Sequence, residues 1–183
     1  MENKLGSKIT TSDMVYIALM MAATCAVTMT IRIPTFIGYT HLGDSMVFLA
    51  AIILGKRNGT IAAALGMSLA DILGGYAVWA PFTLVIKGAM AYIAARIAYR
   101  DNYYGNNLKN NILAFVCAGV WMVGAYYIAN VIITRFVYVQ TASLSESLTI
   151  ALAEVPGNII EVVVGIALAL PLAKGLNNYI HRK

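Results

Sequence analysis

The chain has 183 residues, 60% of them hydrophobic and 11% charged, with a formal net charge of +5 and a mean hydropathy of +0.75. A soluble domain carries roughly 25% charged residues, so the composition excludes an ordinary soluble fold and predicts one all-α integral membrane domain over residues 1–183. The positive charge does not mark a nucleic-acid binder, because the basic residues fall in pairs between apolar runs and not along one face.

Taking about 20 apolar residues as the length that crosses a bilayer, six transmembrane helices are predicted at about 12–32, 44–54, 58–73, 81–99, 111–134 and 146–174. The first begins behind a basic leader, but its apolar run continues to Ile33 with no small-residue cleavage site, so it reads as a retained span and not a signal peptide. Ala18, Ala22 and Ala26 recur every four residues along it and line one face with small side chains. Such a face serves either packing within the chain or docking onto another membrane protein, and spacing does not separate the two.

The second span, inside YTHLGDSMVFLAAIILGKRNG, runs only over 44–54, and at about 1.5 Å per residue it covers about half of a 30 Å hydrocarbon core. Asp44 stands where a carboxylate would cap its first turn. His41, three residues earlier, is either a solvated loop residue or part of a lid. HxxD alone is no metal site, since no further ligand follows at usable spacing, and no cofactor is expected. The GKRNGT that ends the stretch lacks the spacing of a phosphate loop, so any use of ATP has to come from a partner. Further on, Pro81 opens the fourth span, where its missing N–H is harmless, and Pro156-Gly157 interrupts the sixth in the manner of a helix that shapes a cavity. Cys25 and Cys117 sit in apolar segments without CxxC spacing and read as small core residues.

With six spans, Lys4, Lys8, Lys56, Arg57, Arg96, Arg100, Lys109, Lys174, Arg182 and Lys183 fall on one side, against Arg32 and Arg135 on the other. Both termini are therefore expected to be cytoplasmic. Tyr16, Tyr99, Tyr103 and Tyr104 fit an aromatic belt at that inner interface. An ionisable group inside a span usually faces a partner or a cavity. Asp71, Lys87, Glu154 and Glu161 are four such groups, and they suggest a polar cavity open to the outer half. Lys87 has two readings of equal standing, an internal salt bridge with Asp71 or a glutamate of the sixth span, and contact with a ligand. Nearby, Tyr76, Trp79, Tyr126 and Tyr127 offer aromatic walls, and Asn130 and Asn158 offer amides that need partners. A site of this composition suits a small ring-shaped ligand. Two other classes compete with it: an intramembrane enzyme using Glu154, Glu161 and His41, and a proton-coupled carrier using Glu161 and Lys87. The chain has no paired histidines for the first and no inverted halves with matching broken helices for the second.

The AxxxAxxxA face, the HLGDSMVFLAAIILG that leads into the second span and the GGYAVWAPFTLVIKG that leads into the fourth resemble the substrate-binding S components of energy-coupling factor (ECF) vitamin transporters. The resemblance covers essentially the whole chain and is strongest to the hydroxymethylpyrimidine, pyridoxine and riboflavin-type branch. It implies a six-helix subunit of a prokaryotic cell membrane, embedded in the lipid bilayer. It further implies that the subunit captures a small-molecule vitamin under a lid formed by the first loop, partnered by a transmembrane scaffold subunit and two ABC-type ATPases. In that scheme the subunit topples in the membrane to carry its closed site inward, ATP hydrolysis by the partners resets it, and Ala18, Ala22 and Ala26 form the docking surface. Substrate-binding residues would be His41, Trp79, Lys87, Tyr126, Tyr127, Asn130, Asn158 and Glu161. Pyridoxine or hydroxymethylpyrimidine is the favoured ligand, with riboflavin, pantothenate and folate as alternatives.

Overall fold

The computed structural model describes residues 9–35, 39–139 and 143–180, with side chains to residue 176. Lys4, Lys8, Arg182 and Lys183, counted above toward the cytoplasmic side, lie outside the described residues.

Helix α1 (Thr11–Thr30) starts at a capping box, in which Thr10 Oγ1 accepts the Asp13 N–H at 3.2 Å and Asp13 Oδ2 accepts that of Thr10 at 3.0 Å. It buries Ile17, Thr24, Cys25 and Thr28, whereas Ala18, Ala22 and Ala26 lie exposed on another face. Among the described residues, then, nothing covers the small-residue face. The loop that follows is more regular than a lid read from sequence: β1 (Arg32–Pro34) and β2 (Tyr39–His41) pair antiparallel, Arg32 opposite His41.

Residues of the expected second and third spans form a single element, α2 (Gly43–Leu73), broken at Gly55, whose φ of 73° and ψ of −168° are not helical. A positive φ of this kind is open to glycine and strained for other residues. At the break the chain turns back on itself. A Cβ added at Gly59 would lie 2.8 Å from the Ala50 carbonyl carbon, and one at Gly43 would lie 2.9 Å from Met67 Sδ. In an unbroken helix the nine residues from 50 to 59 would span about 13.5 Å. Small residues at 50, 51 and 59 are what let the two limbs touch, and the Tyr99 hydroxyl holds the bend by donating to the Ile52 carbonyl at 2.6 Å. Among the described residues five helices are long and apolar enough to cross a membrane, not six, because the first limb of α2 is too short to cross unaided.

Helix α3 (Ala80–Ala98) carries Pro81 in its first turn, as read from sequence. Helix α4 (Leu108–Ile133) is capped by Asn107, which accepts the Asn110 N–H at 3.0 Å, and it ends in a π-turn over Thr134–Tyr138. Helix α5 (Leu144–Ile180) continues through Pro156 and Pro171. All these bounds lie within six residues of the sequence reading. α2 packs against α1, α3 and α5, and α4 against α3 and α5. Their shared core includes a stacked Phe48–Phe115 pair, ring centroids 4.3 Å apart, and fully buried Met90 and Met122.

Two close approaches bring α5 to the β-hairpin and the start of α2. A Cβ at Gly157 would meet Thr40 Oγ1 at 3.0 Å, and one at Gly165 would meet the Asp44 Cβ at 3.0 Å. Gly157 thus makes room for the β-hairpin and Gly165 for the start of α2.

Candidate functional site

The helical periods converge on a cleft under the hairpin. Glu154, Asn158 and Glu161 are spaced i, i+4, i+7 along one face of α5, Tyr126 and Asn130 are i, i+4 on α4, and Trp79 and Thr83 are i, i+4 at the start of α3. With Tyr39 and His41 from β2 and Asp71 from the C-terminal end of α2, they line a cleft of about 410 Å³, open solvent at its mouth included.

Its aromatic wall is Trp79, 6.1 Å from the Tyr126 ring, and Tyr39 meets Tyr76 in a tilted contact with ring centroids 4.6 Å apart. The Thr83 and Tyr126 hydroxyls share a hydrogen bond of 3.1 Å, which fixes the Tyr126 ring orientation.

Behind the wall lies a buried charge network. Lys87, with no exposure, donates a very short hydrogen bond to Asp44 Oδ1 and lies 3.8 Å from Glu161 Oε2 and 5.0 Å from the Tyr126 ring centroid. The expected cap at Asp44 is therefore corrected: Leu42 is the N-cap, its side chain makes no capping bond, and the Asp44 carboxylate serves Lys87 instead. A low-dielectric interior explains the exchange, since an unpaired buried ammonium is far more costly than an uncapped N–H. Of the two readings of Lys87, the geometry gives the internal ion pair, through Asp44 and Glu161.

Glu161 also holds the hairpin. Its Oε1 accepts the His41 backbone N–H at 2.9 Å. The 3.8 Å approach of His41 Nδ1 to the same oxygen is not an ion pair, because Nδ1 accepts the Gly43 N–H at 3.2 Å and so carries no proton. Burial, and then the Lys87 ammonium, push the imidazole down to about 3, in keeping with a neutral ring. The hairpin is latched at its other edge too. The Tyr39 hydroxyl donates to Asp71 Oδ1 at 2.5 Å, and Arg32 Nη2 donates to the Ala70 carbonyl at 3.1 Å with its guanidinium 4.9 Å from the Tyr39 ring centroid. Burial, then the Asp71 charge, raise the Tyr39 phenol above its usual value, so it stays a donor.

His41 Nδ1, Asp44 and Glu161 lie close enough together to converge on a cation. Lys87 already supplies that positive charge, and the Nδ1 lone pair is taken by Gly43, so the donor set does not call for a metal.

Of the predicted binding residues, His41, Trp79, Tyr126, Asn130, Asn158 and Glu161 line the cleft. Lys87 lies behind it, and Tyr127 is half-buried and not among the lining residues. Asp71 and Glu154, read as buried charges, and Tyr39 and Thr83, read as nothing in particular, complete the lining. Thr83 had a signal in its i+4 spacing from Trp79. Tyr39 had none, because its place depends on hairpin pairing.

Comparisons with known proteins agree with this architecture. The chain is 35% identical over 108 residues to a Pyrococcus woesei protein described only as an uncharacterized protein in gap 3'region, an alignment that covers 58% of this chain and 72% of that protein. In fold it is similar to the solved S component of a bacterial ECF transporter, with a TM-score of 0.73, 20% identity, and coverage of 92% of this chain and 97% of that one. The model of the ECF-type riboflavin transporter S component family matches residues 8–178. A chain matched over nearly its whole length, with helices fit to cross a membrane several times, belongs to that family of transporter S components.

Proposed function

We propose that this chain is the substrate-binding subunit of an ECF-type importer, taking up a small aromatic vitamin or vitamin precursor, with pyridoxine or hydroxymethylpyrimidine foremost. It works as one domain in the prokaryotic cell membrane with both termini cytoplasmic. The two limbs of α2 count as separate short spans, giving six, with the first limb shielded from lipid by the protein around it. The observation that carries this reading is the cleft under the hairpin, where Trp79 and Tyr126 offer ring faces and Asn130, Asn158 and Glu161 offer polar groups. Ala18, Ala22 and Ala26 present their exposed small-residue face to a scaffold subunit, and two ABC-type ATPases supply the ATP hydrolysis for which this chain has no phosphate loop. The subunit topples against that scaffold to deliver its ligand. The family description favours a second ligand, riboflavin.

Titration of the purified chain with these vitamins tests the reading. Saturable quenching of tryptophan fluorescence is expected, lost in Trp79→Phe and kept in Trp121→Phe, because Trp121 is 42% exposed on the outer face of α4. Absence of any response to any vitamin would contradict it. Proteoliposomes holding this chain alone should show no uptake, and uptake would favour an autonomous proton-coupled carrier.

A further inference from the structure

We infer that the cleft accepts an uncharged or cationic nitrogen heterocycle offering N–H donors, and rejects compounds bearing phosphate or carboxylate. This rests on the reading of the cleft as a vitamin site and narrows the ligand by charge.

The lining carries three carboxylates, Asp71, Glu154 and Glu161, and no lysine or arginine. Every cation nearby is engaged elsewhere. Lys87 is fully buried against Asp44 and Glu161. Arg32 Nη2 is turned onto the Ala70 carbonyl and its guanidinium lies over the Tyr39 ring, while its buried Nε has no partner among the described residues. His41 uses Nδ1 as an acceptor and is not a cation. An anionic ligand would enter this low-dielectric site beside three carboxyl groups, with no free lysine or arginine in the lining to meet it.

Two wall atoms lack partners among the described residues. Asp71 is only 4% exposed; Tyr39 donates to its Oδ1 and the Thr83 hydroxyl also stands beside the carboxylate, leaving its buried Oδ2 without a donor in good geometry. On the opposite wall, the buried Asn158 Nδ2 donates to nothing. A buried polar atom without a partner is destabilising until a ligand satisfies it. The two together ask for a compound with an N–H donor on one edge and an acceptor, such as a ring nitrogen or carbonyl oxygen, on another. Aminopyrimidines and the imide edge of flavins have this pattern.

The test is titration calorimetry of the purified full chain with matched probes: hydroxymethylpyrimidine and its phosphate, riboflavin and its phosphate, pantothenate and folate. The expected result is that an unphosphorylated heterocycle binds at least about a hundredfold more tightly than its own phosphate, and that pantothenate and folate bind no better than the phosphates. In Asp71→Asn that gap should narrow by about tenfold or more. A phosphate ester, pantothenate or folate binding as tightly as the uncharged probes would overturn the inference and leave the vitamin-site reading standing. An unchanged gap in a folded Asp71→Asn would overturn the part given to Asp71. If that variant does not fold, the wild-type series decides by itself. No binding of any probe would overturn the vitamin-site reading and this inference with it.

Discussion

The core around Phe48 and the network around Lys87 are built in the same helices, yet they solve opposite problems. Around Phe48, a single buried cluster takes in Ala50, Ala51, Ala63, Ala91, Ala94, Ala95 and Ala98, and side chains this small let helix backbones approach until no cleft remains. Around Lys87, side chains are larger and charged, and in front of them opens a cleft roofed by a β-hairpin. Inside a membrane, apolar packing gains little from burial itself, because lipid is as apolar as the core. Close backbone contact therefore holds one region, while buried charges, costly unless matched, give the other its shape.

The largest way to break this contrast is to unbalance the charge. Lys87→Met leaves Asp44 and Glu161 buried without their ammonium and should lower stability by about 3–5 kcal/mol in thermal unfolding in detergent. Adding Asp44→Leu should recover most of the loss. Next in size is the tight side. Gly59→Val drives a branched side chain into the Ala50 backbone and should cost about 1–3 kcal/mol in the same assay. A neutral result would mean that the limbs of α2 are not held by their contact.

A third effect is pH-dependent. Above pH about 6.5 His41 is neutral in the folded and unfolded chain alike; between that value and about 3 only the unfolded chain takes up the proton. Folded-state stability should therefore fall as pH drops through this window, by up to about 1.4 kcal/mol per pH unit from this group. Lys87, Asp44 and Glu161 face the same ring and shape the total response, so the readout is the difference from His41→Asn, whose profile should be flatter. Smallest in stability is Ala22→Leu on the exposed face of α1, within about 0.5 kcal/mol. It should nevertheless abolish co-purification with the scaffold subunit.

Much of this was legible in the residues. Apolar run length located the helices to within a few positions, and the Lys56-Arg57 exit with Gly55 before it marked the reversal inside α2. Residue type and place in the spans singled out Trp79, Tyr126, Asn130, Asn158 and Glu161, all of which line the cleft. What spacing does not carry is pairing across distance. Asp44 reads locally as a cap, and only the packing of α3 beside the start of α2 makes it the partner of a lysine 43 positions away. Tyr39 joins the cleft because the hairpin register brings it over Asp71, a contact that no periodicity announces.

Native mass spectrometry of the chain extracted directly from its membranes tests the central claim most directly. The account predicts one adduct per chain, with the mass of an uncharged nitrogen-heterocyclic vitamin, and its loss in Asn158→Leu, which replaces the cleft's unpaired donor by an apolar side chain. The same adduct at unchanged occupancy in Asn158→Leu would contradict it.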